Sequence, residues 1–128
     1  MSIQQPHILL VEDHPFQLIA TQILLNNHGF LRLTSALDAN EALRIMARAE
    51  HIDVLLCDQC LPGMTGLKLI ETASQWGWID RAILLSSLAQ EELQALHHQA
   101  LQQNLPMLGY LSKPLNTHAL ALLLALPR

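Results

Sequence analysis

The chain has 128 residues, of which 51% are hydrophobic and only 14% are charged. This length suits one domain with one core, and the composition excludes a disordered protein, because disorder requires low hydrophobicity and high net charge. The formal net charge of -4 argues against direct nucleic-acid binding, which needs a basic face. No apolar run approaches the ~20 residues of a membrane span, and residues 1–6 lack a signal-peptide pattern. We therefore expect a cytoplasmic protein without a membrane partner.

Short apolar runs alternate with segments of helical periodicity along the chain. The predicted strands are residues 7–11, 31–35, 54–57, 82–85 and 108–111. The predicted helices are residues 15–27, 38–49, 66–75, 90–103 and 116–126. Alternating strands and helices form βα units with right-handed crossovers, and nearly continuous apolar strands are typical of a sheet covered on both faces. The sequence therefore predicts an α/β fold, a (βα)5 three-layer sandwich around a parallel five-stranded sheet.

Residues at the helix ends support these boundaries. Pro15 stands at the start of the first predicted helix, where its missing N–H costs nothing, and Gly29 stands just past its end. Asp38 can cap the second predicted helix. The first helix carries apolar residues at helical spacing, namely Phe16, Ile19, Ala20, Ile23 and Leu24.

Polar residues follow four of the predicted strands. They are Glu12 and Asp13 after the first strand, Asp58 after the third, Ser86 after the fourth, and Lys113 with Pro114 after the fifth. Because the carboxyl ends of parallel strands share one edge of a sheet, we expect these side chains to converge on one crevice. Three carboxylates, a hydroxyl and an ammonium suit a hard divalent cation and a phosphoryl group.

The two cysteines, Cys57 and Cys60, have the Cys-x-x-Cys spacing of redox proteins. Redox sites of this kind place the first cysteine at a helix N-terminus, where the thiolate is stabilised. Cys57 closes an apolar run, so we expect it to be buried in a strand. Two cysteines without a second pair also make a poor zinc site.

In order along the chain, these motifs resemble the receiver domain of two-component response regulators. The motifs are the acidic pair Glu12-Asp13, the acceptor motif Asp58-x-x-x-Pro62-Gly63-Met64-x-Gly66, Ser86, and the pair Lys113-Pro114. The resemblance covers nearly the whole chain. It implies a flavodoxin-like topology with strand order 2-1-3-4-5 and a phosphoacceptor signalling switch that catalyses only its own phosphorylation and dephosphorylation.

The resemblance assigns roles in the chemistry. It implies that Asp58 accepts a phosphoryl group from a histidine kinase or phosphotransfer protein in a Mg²⁺-dependent reaction. Asp13 and Asp58 would bind Mg²⁺ directly, Glu12 would act through water, and the backbone carbonyl of Cys60 would be a further ligand. Lys113 would pair with Asp58 and then with a phosphoryl oxygen.

The resemblance also implies a conformational switch. Ser86 would donate its hydroxyl to the phosphoryl group, and its movement would let Tyr110, the aromatic residue three before Lys113, turn inward. The face formed by the fourth helix, fifth strand and fifth helix would then repack. We expect Pro114 to be a cis-proline that orients Lys113 inward.

The partners follow from the same resemblance. We expect residues 1–128 to be a single receiver domain excised from a longer protein with a C-terminal output domain. Residues 12–17 look like those of receivers attached to cyclic-di-GMP phosphodiesterase or DNA-binding domains. Homodimerisation through the repacked face is also expected, although residues 90–106 are longer than usual and put the standard dimer geometry in doubt. Residues 119–126 are apolar all round, so part of the last helix should meet a partner.

Four other interpretations remain open. Asp13 alone could cap the first helix. The domain could be a degenerate receiver used only for protein contacts. A phosphatase of the haloacid dehalogenase type also uses an aspartate nucleophile and Mg²⁺, but its Asp-x-Asp pair is absent, because His14 and Pro15 follow Asp13. A nucleotide- or flavin-binding module would need a glycine-rich loop after the first strand.

Overall fold

The structure is a computed structural model and describes residues 5–48 and 51–125. In these residues, strands and helices alternate in the order β1 (Ile8–Val11), α1 (Pro15–Asn27), β2 (Leu33–Ala36), α2 (Ala39–Ala47), β3 (Ile52–Asp58), α3 (Gly66–Gln75), β4 (Ile79–Ser86), α4 (Gln90–Gln102), β5 (Met107–Ser112) and α5 (Thr117–Leu124). The strands form one parallel sheet in the order β2-β1-β3-β4-β5. The predicted flavodoxin/CheY-like (βα)5 sandwich is confirmed.

The predicted helices agree with the structure more closely than the predicted strands do. Helices α1 and α3 have the predicted bounds, and Asp38 caps α2 by accepting the Glu41 N–H at 2.7 Å. Strands β3 and β4 both begin earlier than predicted. Asp53 in β3, and Asp80 and Arg81 in β4, interrupt the continuous apolar signal near the start of each strand. The predicted ends at residues 49 and 126 lie outside the described residues.

The sheet separates two apolar cores. On β1, Leu9 and Val11 pack into one core with residues of α2, α3 and α4. The alternate residues Ile8 and Leu10 pack into the other core with residues of α1 and α5. All four side chains are at most 1% exposed, as expected because successive residues of a strand point to opposite faces. The sheet is therefore covered on both sides, and its carboxyl edge remains accessible.

Helix α1 faces the sheet with a different stripe from the one the sequence pattern suggests. Its buried residues are Leu18 and Leu25, which are seven apart and so lie on the same face. Phe16, Ile19 and Ile23 are 89%, 53% and 55% exposed. The helix therefore presents an apolar surface to solvent, which we call the α1 stripe.

Helix α5 is also apolar on more than one side. Leu120 is fully buried against the sheet, whereas Leu122 is 60% exposed. This agrees with the expectation that part of this helix is left for a partner. Within the described residues, none of the helices combines the length and the apolarity needed to cross a bilayer.

Gly66 lies where the loop after β3 returns to the strand. Its N–H donates to the Gln59 carbonyl at 2.9 Å, and a Cβ at this position would overlap the backbone carbonyl of Asp58. The next helix, α3, is capped by Thr65, whose hydroxyl accepts the Lys68 N–H at 3.2 Å. Thr65 therefore satisfies one of the free N–H groups at the start of α3.

We expect Gly66→Ala to lower the free energy of unfolding by about 3 kcal/mol, because the obstructing atoms are backbone and cannot give way like a side chain. Urea denaturation measures this loss. The control is Gly63→Ala, where a Cβ meets nothing within 4 Å but φ is +77°, so only about 1–2 kcal/mol of backbone strain is expected. Equal losses in the two variants would contradict the argument from close approach.

Candidate functional site

Asp58 is the last residue of β3 and is only 6% exposed. Both of its carboxylate oxygens are bonded: Oδ2 accepts from Lys113 Nζ at 3.0 Å, and Oδ1 accepts from the Cys60 N–H at 3.2 Å. The strand ends beside Leu85 of β4. The carboxylate is thus held at the carboxyl edge of the sheet, as predicted.

The Lys113 ammonium joins the ends of β1, β3 and β5. It donates to Glu12 Oε1 at 2.5 Å, to Asp58 Oδ2 at 3.0 Å and to Gln17 Oε1 at 3.1 Å. Its own backbone N–H donates to the Ser86 carbonyl at 2.8 Å. The following peptide bond, Lys113–Pro114, is cis, which confirms that prediction.

The pKa of Lys113 is raised by its surroundings. Burial acts to lower this pKa, but hydrogen bonds to Glu12 and Asp58 and the charges of both carboxylates outweigh burial. The ammonium is therefore charged throughout the neutral range. Because its pKa is higher in the folded than in the unfolded state, its contribution to stability is complete below the ordinary value of 10.5. That contribution is lost only as pH rises through the raised pKa.

The two residues of the acidic pair at the end of β1 differ in burial and in their partners. Glu12 is 3% exposed and bonds to Lys113, whereas Asp13 is half-buried. Asp13 Oδ1 is buried, has no hydrogen-bond partner among the described residues, and lies 4.0 Å from His14 Nε2. A buried carboxylate oxygen with free lone pairs is suited to bind a cation. The residues at this edge therefore fit a divalent metal.

Three residues at the end of β1 and the start of α1 lie close enough together to share a cation. Glu12, Asp13 and His14 offer ligand atoms within 4.8 Å of one another. Asp58 is not in this group, and its two oxygens accept from Lys113 and from the Cys60 N–H. His14 is also the N-cap residue of α1 and has no side-chain capping bond, so the interpretation of Asp13 as the cap is wrong.

The predicted switch residues are Ser86, the last residue of β4, and Tyr110 in β5. Ser86 is 1% exposed, and its hydroxyl accepts the Leu88 N–H at 3.1 Å. Tyr110 is half-buried with its ring 5.4 Å from the ring of His97, and its hydroxyl accepts from Gln90 Nε2 at 3.1 Å. Burial lowers the pKa of His97, so this ring is neutral at neutral pH. Two residues of α4, Gln90 and His97, therefore contact Tyr110.

The two cysteines do not form a redox centre. Cys57 is buried in β3, and its thiol donates to the Gly66 carbonyl at 3.7 Å. Burial, followed by the charge of Asp58, raises the pKa of the Cys57 thiol, which removes its nucleophilic thiolate. Cys60 is a free, exposed cysteine at the crevice.

Three residues near Asp58 were missed by the sequence analysis. Gln17 bonds to Lys113, His14 joins the acidic pair, and Gln59 is 8% exposed with its Oε1 accepting the Leu67 N–H at 2.9 Å. Gln59 gave one usable signal, because a polar residue directly after a buried strand needs a partner. The roles of Gln17 and His14 depend on where α1 packs.

The crevice continues beyond the carboxylates into a cavity of about 590 Å³. Its walls include Asp58, Lys113 and Cys60 together with Gln17, Ala20, Thr21 and Leu24 of α1. A cavity of this size is at the scale of small-molecule sites. A phosphoryl group together with the group that carries it can therefore reach the carboxylate.

A parallel α/β domain with carboxylates and a lysine at one sheet edge defines a class of proteins that handle phosphoryl groups and divalent cations. A sequence model of the response regulator receiver domain matches residues 8–125. The chain belongs to the response regulator receiver family. This membership favours neither the phosphatase nor the nucleotide-binding alternative.

Known proteins resemble the chain over nearly its whole length. It is 30% identical over 118 residues to the cyclic di-GMP phosphodiesterase RocR of Pseudomonas aeruginosa, which covers 92% of this chain and 30% of that protein. It is 31% identical over 122 residues to the sensor histidine kinase GacS of Pseudomonas protegens, which covers 94% and 13% respectively. The receiver domain of an HD domain-containing protein from Pseudomonas fluorescens has a TM-score of 0.75 and 29% identity, covering 94% of this chain and 92% of that one. The chain thus spans less than a third of the two full-length relatives.

We expect Lys113→Met to lower the free energy of unfolding by roughly 2–3 kcal/mol in the absence of divalent cations, because two buried carboxylates lose their counter-charge. The loss is smaller than for a fully buried pair, since 19% of the Lys113 side chain is exposed. Urea denaturation with and without MgCl₂ measures it. Lys68→Met is the control: Lys68 is exposed and pairs with Glu71 at 3.5 Å, so a change within about 0.5 kcal/mol is expected. A Lys113 variant as stable as this control would contradict the prediction.

Proposed function

We propose that this receiver domain is a working phosphoacceptor switch in which Asp58 takes a phosphoryl group from a phosphohistidine. The observation that carries the proposal is the arrangement of Asp58: a buried carboxylate, paired with Lys113 at 3.0 Å, next to an acidic pair. A degenerate receiver would have no use for this grouping of costly buried charges. The domain acts on its own carboxylate and not on a separate substrate, so we do not class it as an enzyme beyond its own phosphorylation and dephosphorylation.

The transfer step uses few parts. A carboxylate oxygen of Asp58 attacks the phosphorus atom, and no general base is needed because a carboxylate has no proton to remove. The new O–P bond forms as the P–N bond to the donor imidazole breaks, and the electron pair returns to the imidazole nitrogen. Lys113 stabilises the negative charge of the equatorial phosphoryl oxygens, and the hydroxyl of Ser86 donates to one of them once it is on Asp58.

We propose Mg²⁺ as the cofactor, held by Asp13 and Asp58, by Glu12 through water and by the carbonyl of Cys60. The unpaired, buried Oδ1 of Asp13 supports this assignment, as does the preference of Mg²⁺ for few carboxylates with several waters. When bound, the ion would neutralise part of the negative charge that the carboxylates and the phosphoryl group bring together.

The output proposed here runs through the face formed by α4, β5 and α5. Movement of Ser86 toward the phosphoryl group takes its hydroxyl from the Leu88 N–H, which releases the loop before α4. Tyr110 then turns inward as a population shift. The exposed Leu101 and Leu122, 50% and 60% exposed, give this face an apolar surface for a homodimer or another domain.

The whole protein proposed here is longer than this domain. Residues 1–128 form one receiver unit that is joined to an output domain, either a cyclic-di-GMP phosphodiesterase or a DNA-binding domain. The name of RocR, a cyclic di-GMP phosphodiesterase, supports the first of these, and a hydrogenase transcriptional regulator from Cupriavidus necator that is 29% identical over 94 residues supports the second. A histidine kinase or phosphotransfer protein is the donor, and the cytoplasm is the compartment.

Intact-mass spectrometry after incubation with acetyl phosphate and Mg²⁺ tests the acceptor. We expect one added phosphoryl group on the wild type, no adduct on Asp58→Asn, and a large loss of adduct when EDTA replaces Mg²⁺. Asp53→Asn, a half-buried aspartate at the start of β3, is the matched control and should be phosphorylated normally. A wild type that neither gains mass nor binds beryllofluoride would leave only the degenerate receiver.

The α1 stripe gives the proposed donor a place to dock. Phe16, Ile19 and Ile23 are exposed beside the cavity, whose wall includes Gln17 and Ala20 of the same helix. A donor protein must bring its phosphohistidine into this cavity, so its surface has to cover the rim. Exposed apolar side chains at such a rim are typical of a contact surface.

We expect Phe16→Ser to slow phosphotransfer from a phosphorylated histidine-containing phosphotransfer protein roughly tenfold or more, as for a buried aromatic contact at an interface. The rate with acetyl phosphate should stay unchanged, because this small donor does not reach the stripe. Leu122→Ser, an exposed apolar residue on α5, is the control and should leave both rates unchanged. Equal slowing with both donors would show that Phe16 acts on the acceptor site instead of on docking.

A further inference from the structure

The ammonium of Lys113 has a full set of acceptors before any phosphoryl group arrives. An ammonium has three N–H groups and no acceptor, and these meet Glu12, Asp58 and Gln17 at 2.5, 3.0 and 3.1 Å. The atom of Gln17 that faces Lys113 must be the amide oxygen, because an amide NH₂ would oppose a donor. The amide orientation is therefore fixed by chemistry.

The three acceptors differ in charge and burial. Glu12 and Asp58 are buried carboxylates, and Glu12 makes the shortest of the three contacts. Gln17 is a neutral, exposed residue in the first turn of α1. Electrostatic attraction alone would draw the ammonium toward the nearer carboxylate, Glu12. An acceptor on the α1 side fixes the rotation of the ammonium about its Cε–Nζ bond, so one N–H remains directed at Asp58.

The neutrality of Gln17 matters when the charge on the acceptor changes. As the O–P bond forms, the Lys113 N–H that faces Asp58 must change its hydrogen-bond acceptor from the carboxylate to a phosphoryl oxygen. A third carboxylate in place of Gln17 would compete with the phosphoryl group for the ammonium and would repel the incoming anion. A carboxamide provides the third hydrogen bond without adding negative charge.

We propose that Gln17 is a positioning residue for phosphoryl transfer, acting through Lys113 to keep the ammonium directed at Asp58. This inference rests on the proposed function. It assigns α1 a part in the chemistry, in addition to the surface that its exposed apolar side chains form. Gln17 also lies in the cavity wall, where the incoming group passes.

The test compares Gln17→Met with Gln22→Met. Methionine keeps the length of glutamine but removes the amide acceptor, and Gln22 is a half-buried residue of the same helix that is not among the residues of the cavity wall. We expect Gln17→Met to lower the acetyl phosphate phosphorylation rate and the beryllofluoride affinity roughly 3- to 10-fold, as for one hydrogen bond to a charged group. Gln22→Met should match the wild type.

A spectroscopic readout separates positioning from general damage. The N–H protons of the Lys113 ammonium, observed through its ¹⁵N resonance, should be protected from exchange with solvent in the wild type. They should lose that protection in Gln17→Met. In Gln17→Glu the protection should remain, because an acceptor is retained, while phosphorylation is still slowed by the added charge. Slow phosphorylation together with an unchanged Lys113 resonance in Gln17→Met would overturn the proposal.

The failure of this inference and of the proposed function are distinguishable. If the wild type takes up a phosphoryl group and Gln17→Met does so at the same rate, the positioning role is wrong and the acceptor function stands. If the wild type takes up none, the acceptor function fails. The inference then falls with it, and the Lys113 resonance shows only whether the contact exists.

Discussion

The ammonium of Lys113 offsets the repulsion between two buried carboxylates, Glu12 and Asp58, and the arrangement of the crevice depends on this contact. The three residues come from the ends of β1, β3 and β5. In the chain, Lys113 is 55 residues from Asp58 and 101 residues from Glu12. Burying carboxylates without a counter-charge would cost several kcal/mol per ion. The fold keeps these charges because the parallel sheet brings the strand ends to one edge.

Backbone contacts, in addition to the charged side chains, determine the structure of this edge of the sheet. The loop after β3 returns so closely that Gly66 contacts the carbonyl of Asp58, and the Gln59 side chain binds the first turn of α3 through the Leu67 N–H. These contacts hold the backbone at Asp58, while Lys113 and the Cys60 N–H bind its carboxylate. A rigid acceptor is valuable in phosphoryl transfer, where most of the catalysis comes from positioning and charge neutralisation.

In the proposed function, two exposed apolar surfaces give the domain an input and an output. The α1 stripe adjoins the cavity at Asp58, whereas Leu101 and Leu122 are exposed on α4 and α5. Between them, Ser86 connects the two by its backbone, since its carbonyl accepts the Lys113 N–H while its hydroxyl holds the loop before α4. A change at the acceptor therefore has a short path to the output face.

The family resemblance supplied the strand order, whereas the sequence by itself determined the fold class and the position of Asp58, Lys113, Glu12 and Ser86 at one edge. These follow from local signals: continuous apolar strands, polar residues at their ends, and capping residues such as Asp38. The family resemblance added the cis bond before Pro114, which the structure contains. Local patterns are reliable here because a buried parallel sheet leaves few other arrangements.

Only the tertiary structure decided which face of α1 is buried, because its apolar residues occupy more of the helix surface than the sheet can cover. Phe16, Ile19 and Ile23 have the spacing of a core face and yet are exposed, while Leu18 and Leu25 are buried. The same rotation of α1 brings Gln17 to Lys113. A polar residue in a first turn gives no local sign of such a partner, since the partner is 96 residues away in the chain and meets it only through the packing of the helix on the sheet.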